Sequence, residues 1–555
     1  MTAQPSASNS GGLHGKDASV SYFRLLTDPA GVTEKVLKHT YPGSGTVASP
    51  YIVEFLQDDP YNPLLLPRWK KLGCTILVAF ATLAVTFISS AYSGAVASII
   101  NEFAVSKNAV VLGVSVFVLG FALGPLLWAP LSEQFGRRSL FIGTYFALTA
   151  FNGACVGANS FATLAVLRFF AGVFGSSSLT NSGAIIADIF DANERGMMLA
   201  VFLAAPLLGP SFGPIVGGYL GEAAGWRWVH GLFVIFTGII WILITLFIPE
   251  TYAPFLLSQR AAKLSEITRK VHVARTDMGN KKNLSEQYKI TLSRPWLLLF
   301  CEPIVLLTSI YMAIVYGTLY MMFPLLPPIF QSQYGWSAQT SELSFLGVAA
   351  GMSFGVLHGI YNNKHYVRIA AKHNGFPPPE VRLKSGILAS VTLPVGLFWF
   401  AWTDGSTIHW IVPIIGTAIF SYGLVVLFLS LTNYLVDTYV VFAASVLAAS
   451  TVLRSAFGAA FPLFTTPMLH NLGIHWASSV PAFLAVACMP FPLLLYIYGR
   501  HIRSKGRYAV QAAEMLQELQ SAVDQKELRF EEDDWMNKTE LSPWRLRCLA
   551  DKPGQ

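Results

Sequence analysis

Twelve stretches of about 20 apolar residues run through this chain, and they restrict its fold more than any other feature. They lie near 72–98, 109–130, 139–158, 161–186, 197–220 and 229–249, then near 297–323, 341–361, 384–403, 408–432, 440–468 and 478–499. Each is long enough to cross the roughly 30 Å hydrocarbon core of a bilayer as a helix. Inside lipid a peptide group has no water to bond, so such a stretch must be helical. Composition agrees, since 53% of the 555 residues are hydrophobic and 12% are charged, against about 25% charged in a globular protein. The expectation is an all-α membrane protein of twelve transmembrane helices.

The longest interior polar run, Thr251 to Pro295, divides the spans into two sets of six. The expected parts are an N-terminal tail (1–71), a six-helix half (72–249), a central loop (250–296), a second six-helix half (297–499) and a C-terminal tail (500–555). Ser6 to Gly12 has a disordered composition, and Gln511 to Glu518 suits a short helix. Lys and Arg gather on one side of the spans, in both tails, the central loop and the loops holding Arg137, Arg138, Arg195 and Lys364 to Lys384. The other side has only Lys107 and Arg227. By the positive-inside rule both termini and the central loop are cytoplasmic. The sequons at Asn283 and Asn537 then stay unglycosylated. The net charge of +7 reads as topology and anionic-lipid contact, with no nucleic-acid partner expected. No cleaved leader is expected at the N-terminus, which lacks a charged and apolar leader pattern. Six spans on each side of a loop imply two repeated halves with a site between them.

The fifth span is unusual in composition. Gly209, Pro210, Gly213, Pro214, Gly217 and Gly218 fall within it. A proline inside a soluble helix costs roughly 3 kcal/mol and a glycine about 1 kcal/mol. In lipid the helix persists, and the glycines give it a face that a second helix can approach closely. That face is expected to pack on a span of the other half. Four of the five cysteines lie in apolar stretches and Cys548 in the tail, without spacing for zinc or an obvious disulfide. No G-x-x-x-x-G-K-[ST] run supports ATP-driven pumping, and no catalytic motif supports an enzyme. A transporter driven by a gradient, without cofactor or metal, is the expected class.

Gly209-x-x-x-Gly213-Pro214-x-x-Gly217-Gly218 resembles the antiporter motif of the drug:proton antiporters in the major facilitator superfamily. Leu131 to Arg138 resembles the superfamily's loop motif between spans two and three, with Ala129, Glu133 and Gln134 replacing the usual Gly, Asp and Arg. Arg168-Phe169-Phe170-Ala171-Gly172 resembles the span-four motif linked to proton coupling, with Ala171 where Gln is usual. Asn62-Pro63, Pro249-Glu250-Thr251-Tyr252, Arg294-Pro295, Glu302-Pro303 and Leu453-Arg454 complete a likeness to fungal twelve-span members, over roughly 60–500. The resemblance implies the major facilitator fold and alternating access. It implies a monomeric, proton-coupled efflux pump for small amphipathic organic molecules such as drugs, toxins or a fungal secondary metabolite. It places that pump in the plasma membrane, with the vacuolar membrane as the alternative. An uptake symporter for a polyamine or sugar is the second reading, although Pro249-Glu250-Thr251 differs from the Pro-Glu-Ser of sugar porters. A non-transporting sensor is the third.

Charges buried in spans mark pathways, because each costs about 2.5–3.5 kcal/mol at the helix centre. Arg168 and Arg454 are the deeply placed cations, each either holding a proton-linked carboxylate or a substrate acceptor, or bonded to carbonyls of a neighbouring span. Arginine cannot release a proton itself, so a carboxylate or histidine must titrate. Asp188 ends span four beside the loop of Glu133, Gly136, Arg137 and Arg138, and these form the expected cytoplasmic gate. Glu302 lies about a turn inside span seven, Glu342 at the outer mouth of span eight, and His358 within span eight. Glu102 is expected to be a solvated loop charge. Tyr316, Tyr320 and Asn433 are candidates for a substrate cavity, since aromatic faces suit planar or cationic molecules.

Overall fold

The computed structural model describes residues 22–278, 284–372 and 377–515, together with 517. Among them are eleven unbroken helical segments long and apolar enough to cross a bilayer. Spans one to six are Arg68–Phe103, Lys107–Phe135, Arg137–Val156, Phe161–Ile189, Glu194–Ala224 and Trp226–Phe247. Spans seven to ten are Pro303–Tyr334, Ala338–Lys372, Pro379–Thr403 and Ile411–Thr438. The last segment, Ala443–Arg503, has 61 residues, about three times what a bilayer needs. Gly473 interrupts it with φ 75° and ψ 170°, a backbone state open to glycine and strained for other residues. The rings of Phe442 and Tyr508 lie 5.4 Å apart, so the two ends of the segment meet. It is a hairpin of two crossings, spans eleven and twelve, which brings the total to twelve.

Local chemistry sets several span ends. Ser106 Oγ accepts a hydrogen bond from the Ala109 amide and Ser160 Oγ from that of Thr163, capping spans two and four. Span seven departs from its expected range of 297–323. A separate helix, Leu284–Cys301, precedes it and ends at Glu302. The residue before a proline is pushed towards extended backbone, and Glu302 before Pro303 has φ −111° and ψ 106°. At its other end the helix continues through Pro324, Pro327 and Pro328. Glu302 therefore stands at the entrance of span seven and not within it.

The outer surface of the helix bundle is apolar. On span six, Ile235, Ile239, Ile242 and Leu246 are each at least half exposed along one stripe, the surface a lipid chain would cover. The described parts of the tails and of the central loop lie on one side of the bundle, the basic side.

The N-terminal tail and the central loop fold together, which the sequence did not show. Strand β1, Tyr51–Val53, pairs in parallel with β2, His272–Ala274, adding a two-stranded ribbon to an otherwise helical protein. Val36, Tyr41 and Val53 of the tail share a small core with Leu257, Ala261 and Leu264 of the loop helix Ala253–Thr268. The buried Arg260 pairs with Asp59 and donates to the Ala30 carbonyl at 3.1 Å. Residues 507–515 are helical, overlapping the helix expected at 511–518. The polar stretch Ser6 to Gly12, both sequons and Cys548 lie outside the described residues.

Candidate transport pathway

Span five runs unbroken through Pro206, Pro210 and Pro214. Its glycines sit elsewhere than expected. A Cβ on Gly209 would strike Thr86, one on Gly213 would strike Ser90, and one on Gly217 would strike the Ala91 carbonyl. All three partners are on span one, in the same half. The spacing of four keeps 209, 213 and 217 on a single stripe, so one helix takes all three. The expectation that this stripe packs on the other half is therefore corrected. Gly218 is one residue, about 100°, further round, and it does face the other half. A Cβ there would meet Glu342 Cγ of span eight at 2.5 Å.

Two cavities lie between the halves, on opposite sides of the bundle, and span five borders both. The far-side cavity, of about 600 Å³, is bounded by Asn101, Lys107, Gly218, Glu222, Phe323 and Glu342 among others. The basic-side cavity, of about 260 Å³, is bounded by Arg195, Leu203, His358, Asn362, Arg382, Asn433 and Asp437 among others. Asn433 thus stands on a cavity wall. Tyr316 and Tyr320 border neither cavity. Tyr320 is fully buried, and its hydroxyl lies 2.8 Å from Ser89 Oγ of span one. Tyr316 donates to the Tyr320 hydroxyl at 3.4 Å, and its ring lies 5.0 Å from the Arg454 guanidinium. The three side chains bridge the halves, and the Tyr320 ring lies 5.1 Å from that of Phe323 on the far-side cavity wall.

Arg168 is completely buried. Its Nε donates to the Gly113 carbonyl at 2.7 Å, and its guanidinium lies 4.0 Å from the centre of the Tyr92 ring. Neither terminal nitrogen has a hydrogen-bond partner. No carboxylate pairs with it among the described residues, and its one hydrogen bond goes to a carbonyl of span two. Beside it are Tyr92, with an unpartnered hydroxyl, and His230, fully buried with both ring nitrogens unpartnered. His230, at the far-side end of span six, was missed in the sequence, where it is a single histidine in an apolar run. Arg454 is its counterpart in the second half, held between the rings of Tyr316 and Phe428.

On the basic side, Arg137 Nε lies 3.3 Å from Asp188. Glu133 is exposed and enters none of the ion pairs found among the described residues, while lying within electrostatic reach of Arg137. The carboxylate that holds the loop is Glu250. Its Oε1 accepts from the amides of Arg137, Thr251 and Tyr252, and its Oε2 accepts from that of Arg138. Free amides at a helix start favour an anion, and Glu250 supplies one to span three. Gly136 has φ 85°, and any Cβ on it would strike the Glu250 carboxylate. Arg138 donates to the carbonyls of Ile248 and Thr245. Glu302 forms a separate clamp, accepting from the Tyr439 hydroxyl at 2.9 Å and the Tyr508 amide at 2.7 Å.

The second half carries an equivalent clasp that the sequence reading missed. Arg382 Nε lies 3.0 Å from Asp437, and Asp437 also accepts from the Tyr366 hydroxyl at 2.8 Å. Arg503 pairs with Glu380 at 2.6 Å. The available signal was spacing, since Arg137 and Asp188 are 51 residues apart and Arg382 and Asp437 are 55 apart.

Twelve crossings in two halves, cavities on opposite sides and matching clasps define a membrane transporter of the secondary active class. A family model described as the Major Facilitator Superfamily matches residues 78–462, and the chain belongs to that superfamily. It is 54% identical over 504 residues to the MFS-type efflux pump MFS2 of Trichophyton rubrum, covering 91% of this chain and 85% of that one. It is 53% identical over 507 residues to the major facilitator superfamily multidrug transporter mdrA of Aspergillus fumigatus, covering 91% and 84%. Among solved structures, the proton:xylose symporter XylE shares the fold, with a TM-score of 0.55 and 16% identity over 78% of this chain and 96% of that one.

Proposed function

We propose that the protein is a proton-coupled exporter of small amphipathic organic molecules, working as a monomer by alternating access. The observation that carries this is the position of span five. One helix, bearing the antiporter motif, borders both cavities and lies between span one of its own half and Glu342 of the other. A change in how it meets the second half would open one cavity and close the other. The basic side is assigned to the cytoplasm by its Lys and Arg, and the membrane to the plasma membrane. Arg168, with Tyr92 and His230, is assigned to proton coupling in the first half. Asp188, Arg137 and Arg138 act in the cytoplasmic gate, with Glu250 as the group that holds them. The names of the two relatives support export, whereas the likeness to a sugar symporter is one of fold.

The test is efflux of a panel of amphipathic compounds from cells with and without the chain, with and without a proton uncoupler. Export that stops on uncoupling is expected. Accumulation of the compounds, or export indifferent to the uncoupler, overturns the reading.

A further inference from the structure

Glu342 is a carboxyl group in an unusual place. It belongs to the short first helix of span eight, Ala338–Glu342, and is 94% buried at the wall of the far-side cavity. Its Oε2 has no hydrogen-bond partner, and none of the ion pairs among the described residues reaches it. Its stem rests on Gly218, where any side chain would displace it. The charged groups on the other elements around it are Lys107 of span two and Glu222 of span five, both exposed on the cavity wall. Span seven presents the neutral Gln331, whose amide is turned to Ser341 at 3.0 Å. The rest of the wall is largely apolar, with Val111, Val114, Phe323, Pro324 and Pro327.

An ionised carboxylate withdrawn from water is costly unless a positive group accompanies it. Lys107 forms no ion pair with it in the structure, so the partner must come from the cavity. A proton can serve, and so can a cation small enough for a space of about 600 Å³ with an apolar body to fit its wall. We propose that Glu342 makes the far-side cavity a site for monovalent organic cations, with cation and proton competing for the same carboxyl. The inference rests on the reading of the protein as a small-molecule exporter, and it names the substrate class. It also gives Gly218 a role apart from its neighbours, since 209, 213 and 217 admit span one while 218 admits the carboxyl. When a proton enters from the far side it binds a Glu342 oxygen, and the cation leaves with its charge unpaired there.

The test uses the purified full-length chain in detergent and rhodamine 6G, a planar organic cation, with binding read by fluorescence polarisation across pH. Wild type should bind the dye and lose affinity as the pH is lowered. Glu342→Gln should weaken binding by at least about tenfold, the factor that about 1.4 kcal/mol represents, and should lose the pH dependence. Glu342→Asp should keep the pH dependence at reduced affinity. Binding of the uncharged dye Nile red should be equal in all three, which also reports that the variants are folded. Equal rhodamine binding in wild type and Glu342→Gln, or no cation binding by wild type, overturns the inference. Transport of the dye in proteoliposomes under an imposed pH gradient separates this from the parent reading. Binding without gradient-driven movement overturns export and leaves the site standing. Gradient-driven export of a neutral compound without cation binding overturns the site alone.

Discussion

The basic-side ends of the two halves solve the same problem with different chemistry. In the first half, two consecutive backbone amides at the start of span three are bound by Glu250, and Arg137 reaches Asp188 at the end of span four. In the second half, Arg382 reaches Asp437 at the end of span ten, and its guanidinium lies 3.2 Å from the centre of the Tyr366 ring. The first clasp is thus anchored through backbone, which substitution of a single arginine cannot remove. The second is held chiefly through side chains, and its ring lies nearer, since Tyr252 is 4.7 Å from the Arg137 guanidinium in the first. The first half thus has two consecutive loop amides held at this face in addition to its side-chain pair.

That difference can be broken in a graded way. Arg168→Ala should have the largest effect, because its counterpart Arg454 has no comparable carbonyl bond among the described residues and cannot replace it. Gradient-driven export in vesicles should fall at least about a hundredfold, roughly 2.7 kcal/mol, with smaller loss in Arg454→Ala. A normal response to the gradient in Arg168→Ala would retire its coupling role. Glu250→Ala comes next, since it leaves several amides without an acceptor, at about 1–3 kcal/mol for each group that water does not reach. A marked fall in melting temperature and in export is expected, and unchanged melting would show that water replaces the carboxylate at little cost. Asp188→Asn should cost more export than Asp437→Asn, because the Tyr366 ring, 3.2 Å from Arg382, still holds it more closely than Tyr252, 4.7 Å away, holds Arg137. Equal losses, measured side by side at matched expression, would remove the asymmetry between the clasps.

The smallest effect on transport is expected on the far side, at Asp404. Burial pushes its carboxyl up from 3.8 to about 6, while His475, at 2.9 Å, pulls it back. The folded protein then keeps this proton at pH values where the unfolded chain has lost it. Its contribution is fully present below about pH 4 and is lost as pH rises through about 6. Asp404→Asn should flatten the pH dependence of melting over that window and leave export unchanged. A melting curve with the same pH slope in wild type and variant would assign the slope to other groups.

How much of this was legible in the sequence depends on the range of the interaction. The spans were legible because about 20 apolar residues in lipid have one backbone solution. The boundary at Gly473 was legible only as a gap between two spans, and its left-handed backbone was not. The stripe of Gly209, Gly213 and Gly217 was legible as a packing face, but its partner was not, because a smooth face carries no address. Asp188 and Arg137 could be paired through a known loop motif. Glu250 was seen only as part of a motif, since nothing local shows that its oxygens turn back to the start of span three. His230 and Asp437 were passed over because a single polar residue in an apolar run becomes informative only once its neighbours from distant spans are known.

The pairing of the tail with the central loop has a mechanical consequence. β1 and β2, the Arg260 pair and the Tyr22 hydroxyl on the Phe247 carbonyl fasten the chain before residue 278 to the first half. The linker between the halves is therefore shorter than its sequence length. What remains as a tether includes the helix Leu284–Cys301, a rod of about 27 Å whose Leu298 and Leu299 are buried in the bundle core. In a rocking machine such a rod moves with the helices it is seated on, so it couples the two halves through contact and not by its length alone.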